Sequence, residues 1–220
     1  MKSIKLSLVA ALLATTAVVS NVSASEVEVS ANMALTSNYV WRGMTQSSNS
    51  PAVQGGVDLA YNGFYAGVWG SNVNFSSDVS MEADFYAGYA GEISGLSYDL
   101  GMIQYAYPTD TTASNFAEAY VSLGYDFKVA SVSAMYYSGI KTDTINPENG
   151  YELGLSIPLP SDITLDATYG DYTNTGNYYS AGLTKTFGKF DVSIAYAAMD
   201  YDTAGTKTED NIIATIGTSF

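Results

Sequence analysis

One pattern constrains this chain more than any other: apolar residues recur at every second position over almost its whole length. In the stretch EVEVSANMALTSNYVWR the odd positions carry Val27, Val29, Ala31, Met33, Leu35, Ser37, Tyr39 and Trp41. The even positions carry Glu28, Ser30, Asn32, Ala34, Thr36, Asn38, Val40 and Arg42. Neighbouring side chains of a strand point to opposite faces, so this segment has one apolar and one polar side; a helix would mix the two sets. Twelve such segments follow one another, at 26–42, 52–61, 64–73, 81–92, 96–107, 116–127, 130–138, 150–158, 163–172, 177–187, 190–199 and 211–220. Their lengths match the roughly 9–11 residues with which a tilted strand crosses a bilayer.

The connections alternate in length. Those after the even segments are brief: Asn62-Gly63, 93–95, Lys128-Val129, 159–162 and Gly188-Lys189. Those after the odd segments are longer and polar, at 43–51, 74–80, 108–115, 139–149, 173–176 and 200–210. Asn-Gly suits a two-residue hairpin turn because both positions take positive φ. An even strand count with short and long connections in alternation predicts an all-β fold, a 12-stranded antiparallel up-and-down transmembrane β-barrel with tight periplasmic turns. The turns also fix phase, since Tyr61 must face the same way as Phe64, and Phe187 the same way as Phe190. With Tyr125, Phe127 and Phe220 these rings predict an aromatic collar at the periplasmic surface. A second collar is expected at the outer surface from Tyr39, Trp41, Tyr136, Tyr151, Tyr169, Tyr179 and Tyr196.

The start of the chain agrees with this address. MKSIKLSLVAALLATTAVVSNVSA holds Lys2 and Lys5, an apolar run from Leu6 to Val19 and the small-residue site Val22-Ser23-Ala24. That order predicts a signal peptide over 1–24 and a mature barrel over 25–220. The run is too short for a spanning helix, which needs roughly 20 residues. The final strand ends on Phe220, resembling the signal by which bacterial outer-membrane proteins are recognised for assembly; Thr218 departs from its apolar alternation.

Two segments, ALTSNYVWRG (34–43) and PAVQGGVDLAYNGFYAGVWGSNV (51–73), resemble the opening of the TorF family of exported proteobacterial porins. The likeness is strongest over 31–75 and becomes one of style beyond. It implies an outer-membrane barrel, and it carries over no catalytic residues.

Composition narrows the chemistry. The chain has no histidine and no cysteine, which removes Ser-His-acid hydrolysis, thiol catalysis and ordinary zinc sites. Glu82 and Asp84 share a face and could in principle serve as acid and base, but alternate carboxylates on a strand read more simply as its wet side. DYDTAG (200–205) resembles a calcium loop, yet its fifth position is Ala204 and its twelfth Asn211, so the bidentate ligand is missing. No catalytic residue, metal site or cofactor is expected. With a formal charge of −14, nucleic acid is an unsuitable partner. The expected partners are outer-membrane lipid and lipopolysaccharide, the barrel-assembly machinery acting on the last strand, and small solutes. Acidic outer loops with Asp143, Glu148, Glu209 and Asp210 could share divalent ions with lipopolysaccharide phosphates.

Function then belongs to the inward face, where Asp58, Glu82, Asp84, Asp99, Glu118, Glu152 and Asp166 are expected to line a lumen with Arg42 as nearly the sole cation. Inward glycines such as Gly56, Gly67, Gly88, Gly101 and Gly154 are expected to leave room; Tyr65, Trp69, Tyr86, Tyr105 and Tyr120 take part of it back. No loop reads as long enough to fold in as a plug. The leading expectation is a narrow channel passing small neutral or cationic solutes. Arg42 reads either as a constriction partner or as a salt bridge closing the interior; the cost of burying acids without a counter-charge favours the salt bridge. The alternatives are a non-conducting structural or receptor barrel, with loops 43–51, 139–149 and 200–210 as its contact surface, and a secreted β-sandwich.

Overall fold

The computed structural model describes residues 27–75, 78–108, 115–141 and 145–220. The expected signal peptide, 1–24, and Asp143 lie outside the described residues. The elements in chain order are β1 (Glu28–Thr36), a short pair β2 (Val40–Trp41) and β3 (Met44–Thr45), β4 (Ala52–Tyr61), β5 (Phe64–Asn72), β6 (Met81–Ile93) and β7 (Leu96–Ala106). There follow β8 (Phe116–Asp126), β9 (Ser131–Ile140), β10 (Gly150–Leu159), β11 (Ile163–Tyr172), β12 (Gly176–Phe187), β13 (Phe190–Tyr201) and β14 (Glu209–Ser219).

β1 and β4–β14 form one closed antiparallel barrel of twelve strands, each paired with its neighbour in sequence and β14 paired back to β1. A closed ring gives every strand a neighbour on both sides, the arrangement that lets a sheet survive in hydrocarbon. The two-sheet sandwich does not form. Asn62 and Gly63 both take positive φ, 49° and 86°, so Tyr61 pairs directly with Phe64. At the seam, Ala31 and Phe220 exchange both backbone hydrogen bonds, at 3.2 and 2.8 Å. The Thr218 hydroxyl donates to the Lys189 carbonyl at 2.8 Å, which gives that polar residue a local partner at the turn end.

Every strand carries apolar residues at most of its outward positions, with few polar exceptions such as Gln104 and Lys185. Val29, Val57, Leu100, Ile194 and Ile212 are all exposed on the outside of the ring. At the turn end Tyr61, Phe64, Phe127, Phe187, Phe190 and Phe220 are exposed, and toward the loop end so are Tyr136, Tyr151, Tyr169, Tyr179 and Tyr196.

The first segment departs from expectation. β1 stops at Thr36 instead of running to Arg42, and residues 37–47 turn into the barrel. Tyr39 and Trp41 therefore leave the outer collar: Tyr39 is buried, and Trp41 packs edge-on against Tyr105, Phe116 and Tyr172 with ring centroids 5.6–6.3 Å apart. The expectation that no loop folds in fails for the same reason. The β2–β3 ribbon is a compact plug that needs few residues because Arg42 and Gly43, at φ 48° and 79°, reverse the chain in two positions.

Candidate functional site

The ribbon crosses the lumen and docks on its far wall. The Arg42 guanidinium donates two parallel hydrogen bonds to Glu118 of β8, each 2.8 Å, and is completely buried. Its carbon lies 3.5 Å from the ring centre of Tyr137, 4.1 Å from that of Trp41 and 4.8 Å from that of Tyr172. Arginine suits this place because its planar fork matches a carboxylate while its faces stack on rings. Burial works against the charge, but the adjoining Glu118 carboxylate outweighs it, and the Arg42 pKa lies above its usual value. Of the two readings of Arg42, the salt bridge closing the interior is the one that forms.

Further contacts hold the ribbon. The Tyr39 hydroxyl donates to Glu82 at 2.7 Å, and burial together with Glu82 and Asp84 raises its pKa. The Asn38 amide donates to Asn211 of β14 at 2.9 Å, and the Asn211 amide donates to the Gly43 carbonyl at 3.3 Å. The Thr45 N–H donates to Glu209 at 2.5 Å. Gly43 lies against the β13 backbone at Ala198, where a Cβ would collide with the carbonyl.

The seven acids expected to line the lumen lie on the inward phase. Glu82, Asp84 and Glu118 are buried toward the loop end, with Glu152 half-buried near them. Asp58, Asp99 and Asp166 are half-buried toward the turn end. Arg42 joins only Glu118, so the remaining acids need other partners, and tyrosines supply most of them. The Tyr86 hydroxyl donates to Asp58 at 2.5 Å, Tyr65 to Asp99 at 2.7 Å, and Tyr178 to Glu152 at 3.1 Å. The Tyr65 hydroxyl also meets that of Tyr120.

The register explains how these rings reach. Asp58, Gly67 and Tyr86 stand level on β4, β5 and β6, and Glu152, Gly170 and Tyr178 stand level on β10, β11 and β12. Each tyrosine lies across the glycine beside it, where a Cβ would sit 2.5 Å or less from the ring, and its hydroxyl meets an acid one strand further on. Tyr65 and Tyr120 likewise approach each other over Gly88 and Gly101. The inward glycines thus do not simply leave the lumen empty; several are seats for rings. Tyr137, Tyr172 and Tyr178 were missed by the sequence reading, although carrying the inward phase along β9, β11 and β12 would have found them.

Some polar atoms stay unmatched. Asp84 Oδ1, Asp166 Oδ2 and Thr184 Oγ1 are buried with no hydrogen-bond partner among the described residues. Acids hydrogen-bonded by phenols, with one neutralised arginine, can attract cations and hydrogen-bond hydroxylated neutral solutes. The chain carries no histidine and no cysteine, so the lumen offers neither imidazole nor thiol chemistry.

A family model described as "Bacterial protein of unknown function (Gcw_chp)" matches residues 20–220. No curated protein is similar in sequence to the chain. Among solved structures, a KdgM porin is similar with TM-score 0.61 and 12% identity, covering 87% of this chain and 98% of the porin. The KdgM porin in complex with disordered oligogalacturonate is similar with TM-score 0.59 and 11% identity, over 87% of this chain and 97% of that one. Outer membrane phospholipase A from Escherichia coli gives TM-score 0.54 and 12% identity, over 87% and 91%. At these identities the likeness is one of fold: a closed barrel of the kind found in outer-membrane proteins.

Proposed function

The chain belongs to the Gcw_chp family, bacterial proteins of unknown function, and from that footing we propose that it is an outer-membrane channel for passive diffusion of small neutral or cationic solutes. The observation that carries this reading is the inner wall: Asp58, Glu82, Asp84, Asp99, Glu152 and Asp166 face a lumen whose only arginine is already bound to Glu118. Carboxylate rings favour cations and repel anions. An anionic chain such as the oligogalacturonate bound by the KdgM porin would find no free guanidinium here. The apolar outer face between two aromatic collars supports an outer-membrane location, and the likeness of 31–75 to the TorF porins points the same way. Lipid and lipopolysaccharide are then its surroundings, and the last strand ending at Phe220 is what assembly machinery would engage.

The test is reconstitution of the chain, without residues 1–24, in planar bilayers under a salt gradient. A reversal potential favouring cations supports the proposal, and a barrel that stays silent even after the ribbon is released rejects it. A second reading, a closed structural or receptor barrel, draws on one specific feature: the β2–β3 ribbon fills the loop end of the lumen.

A further inference from the structure

The seam between β1 and β14 is shorter than its strands allow. β14 begins at Glu209, yet its pairing with β1 starts only at Thr215, opposite Thr36. Ser37 N–H still donates to the Ala214 carbonyl at 2.9 Å, which shows that Ala214 turns its backbone groups to this edge. In an antiparallel ladder alternate residues do so together, so Ile212 and Asp210 offer their N–H and C=O to the same edge. Neither finds a backbone partner there among the described residues. Ile212 is also 75% exposed on the outer face.

The segment that would fill this edge is the one folded into the lumen. In 36–42 Tyr39 and Trp41 keep the outward apolar phase and Asn38 and Arg42 the inward polar one, with Ser37 and Val40 as departures, although the strand stops at Thr36. Extending the existing register outward pairs Tyr39 with Ile212, Trp41 with Asp210 and Arg42 with Glu209. Tyr39 and Trp41 would then point outward beside Tyr196 and Tyr179, completing the collar where it is interrupted. Arg42 would exchange Glu118 for another carboxylate, one that now holds Thr45 N–H and the Tyr201 hydroxyl. In its present place Arg42 sits at φ 48°, a costly conformation for a side chain with a Cβ, whereas an extended strand would relieve it.

We propose that residues 37–42 exchange between two seats: the lumen, where Arg42 is latched to Glu118, and the free edge of β14, where they extend β1 and clear the loop-end mouth. Its consequence for permeation rests on the channel reading; the exchange itself does not.

The chain has no cysteine, so a Tyr39→Cys/Ile212→Cys pair can be placed without background thiols. In the lumen seat residue 39 is buried against Glu82 and Trp69 while residue 212 is exposed on the outer face, so the two side chains lie on opposite sides of the wall; in the edge seat they stand opposite each other, within disulfide range. Oxidation should form the bond slowly, and about a hundredfold or more faster once Glu118→Gln releases the latch. Trp41 gives a second readout, because Trp69 is the only other tryptophan. In a Trp69→Phe protein, brominated lipid should quench Trp41 more strongly when Glu118→Gln is added. A Glu118→Gln barrel that migrates as folded, yet shows neither cross-link nor added quenching, overturns the exchange. A cross-linked barrel that carries no current upholds the exchange and overturns the channel reading.

Discussion

The Arg42–Glu118 pair sets a measurable scale for how firmly the ribbon is held. Both side chains are essentially out of solvent, at 0% and 2% exposure, and are joined by two 2.8 Å hydrogen bonds. Removing one partner of such a pair strands the other charge, at a cost of about 3–5 kcal/mol. Glu118→Gln leaves the guanidinium among three rings with only an amide beside it. Arg42→Met leaves Glu118 with the Tyr105 hydroxyl at 3.3 Å and forfeits the ring contacts, worth about 0.5–2 kcal/mol where desolvated. The double variant holds no unpaired charge, and Met packs well among aromatics, so it should lie within about 2 kcal/mol of the wild type. The cycle therefore predicts a strongly non-additive result, with a coupling of about 3 kcal/mol or more. Denaturant unfolding of the barrel refolded in lipid is the assay, with conductance in parallel. If the ribbon leaves its seat more cheaply than the barrel unfolds, the unfolding cost is capped and the rest appears as lengthened open time. Single variants that each cost under about 0.5 kcal/mol, add simply and leave conductance unchanged would refute the latch.

Other perturbations address the rest of the lumen. Gly67→Val should push the Tyr86 ring off its seat and break its bond to Asp58, destabilising the barrel by about 1–3 kcal/mol in urea unfolding. Tyr178→Phe removes a hydrogen bond to Glu152, and since bonds to charged groups contribute about 1.5–3 kcal/mol, the same assay should show a loss of that order with little change in packing. Replacing Asp58, Asp99 and Asp166 together by Asn should move the bilayer reversal potential toward zero; an unchanged potential would mean that permeant ions do not sense these acids.

Sequence periodicity reports the environment on either side of a wall, and that is why so much of this barrel is legible in it. Lipid outside and polar lumen inside act on every strand, so the phase of Val57, Leu100 or Ile216 can be read one residue at a time. The inward turn at Ser37 leaves little trace, because Tyr39, Trp41 and Arg42 continue the alternation that a strand would need and only Ser37 and Val40 depart from it. The reversal rests instead on Arg42 at positive φ, a position where sequence statistics favour Asn or Asp. The glycine seats escape the sequence for a different reason. What Gly67 or Gly170 does is decided by a tyrosine on the following strand that stands level with it across the ladder.

Those glycine seats bear on how the ladder finds its alignment. The least expensive mistake for a strand with one greasy face is to slide by two residues, since that keeps every side chain on its proper side. For β6 against β5, such a slide would set the Tyr86 ring opposite Tyr65 or Trp69 in place of Gly67. For β12 against β11 it would set Tyr178 opposite Thr168 or Tyr172 in place of Gly170. Bulk then meets bulk, the phenol loses its acid, and the misaligned hairpin is penalised before the ring closes. The same side chains that furnish the interior thus proofread the assembly of the wall around it.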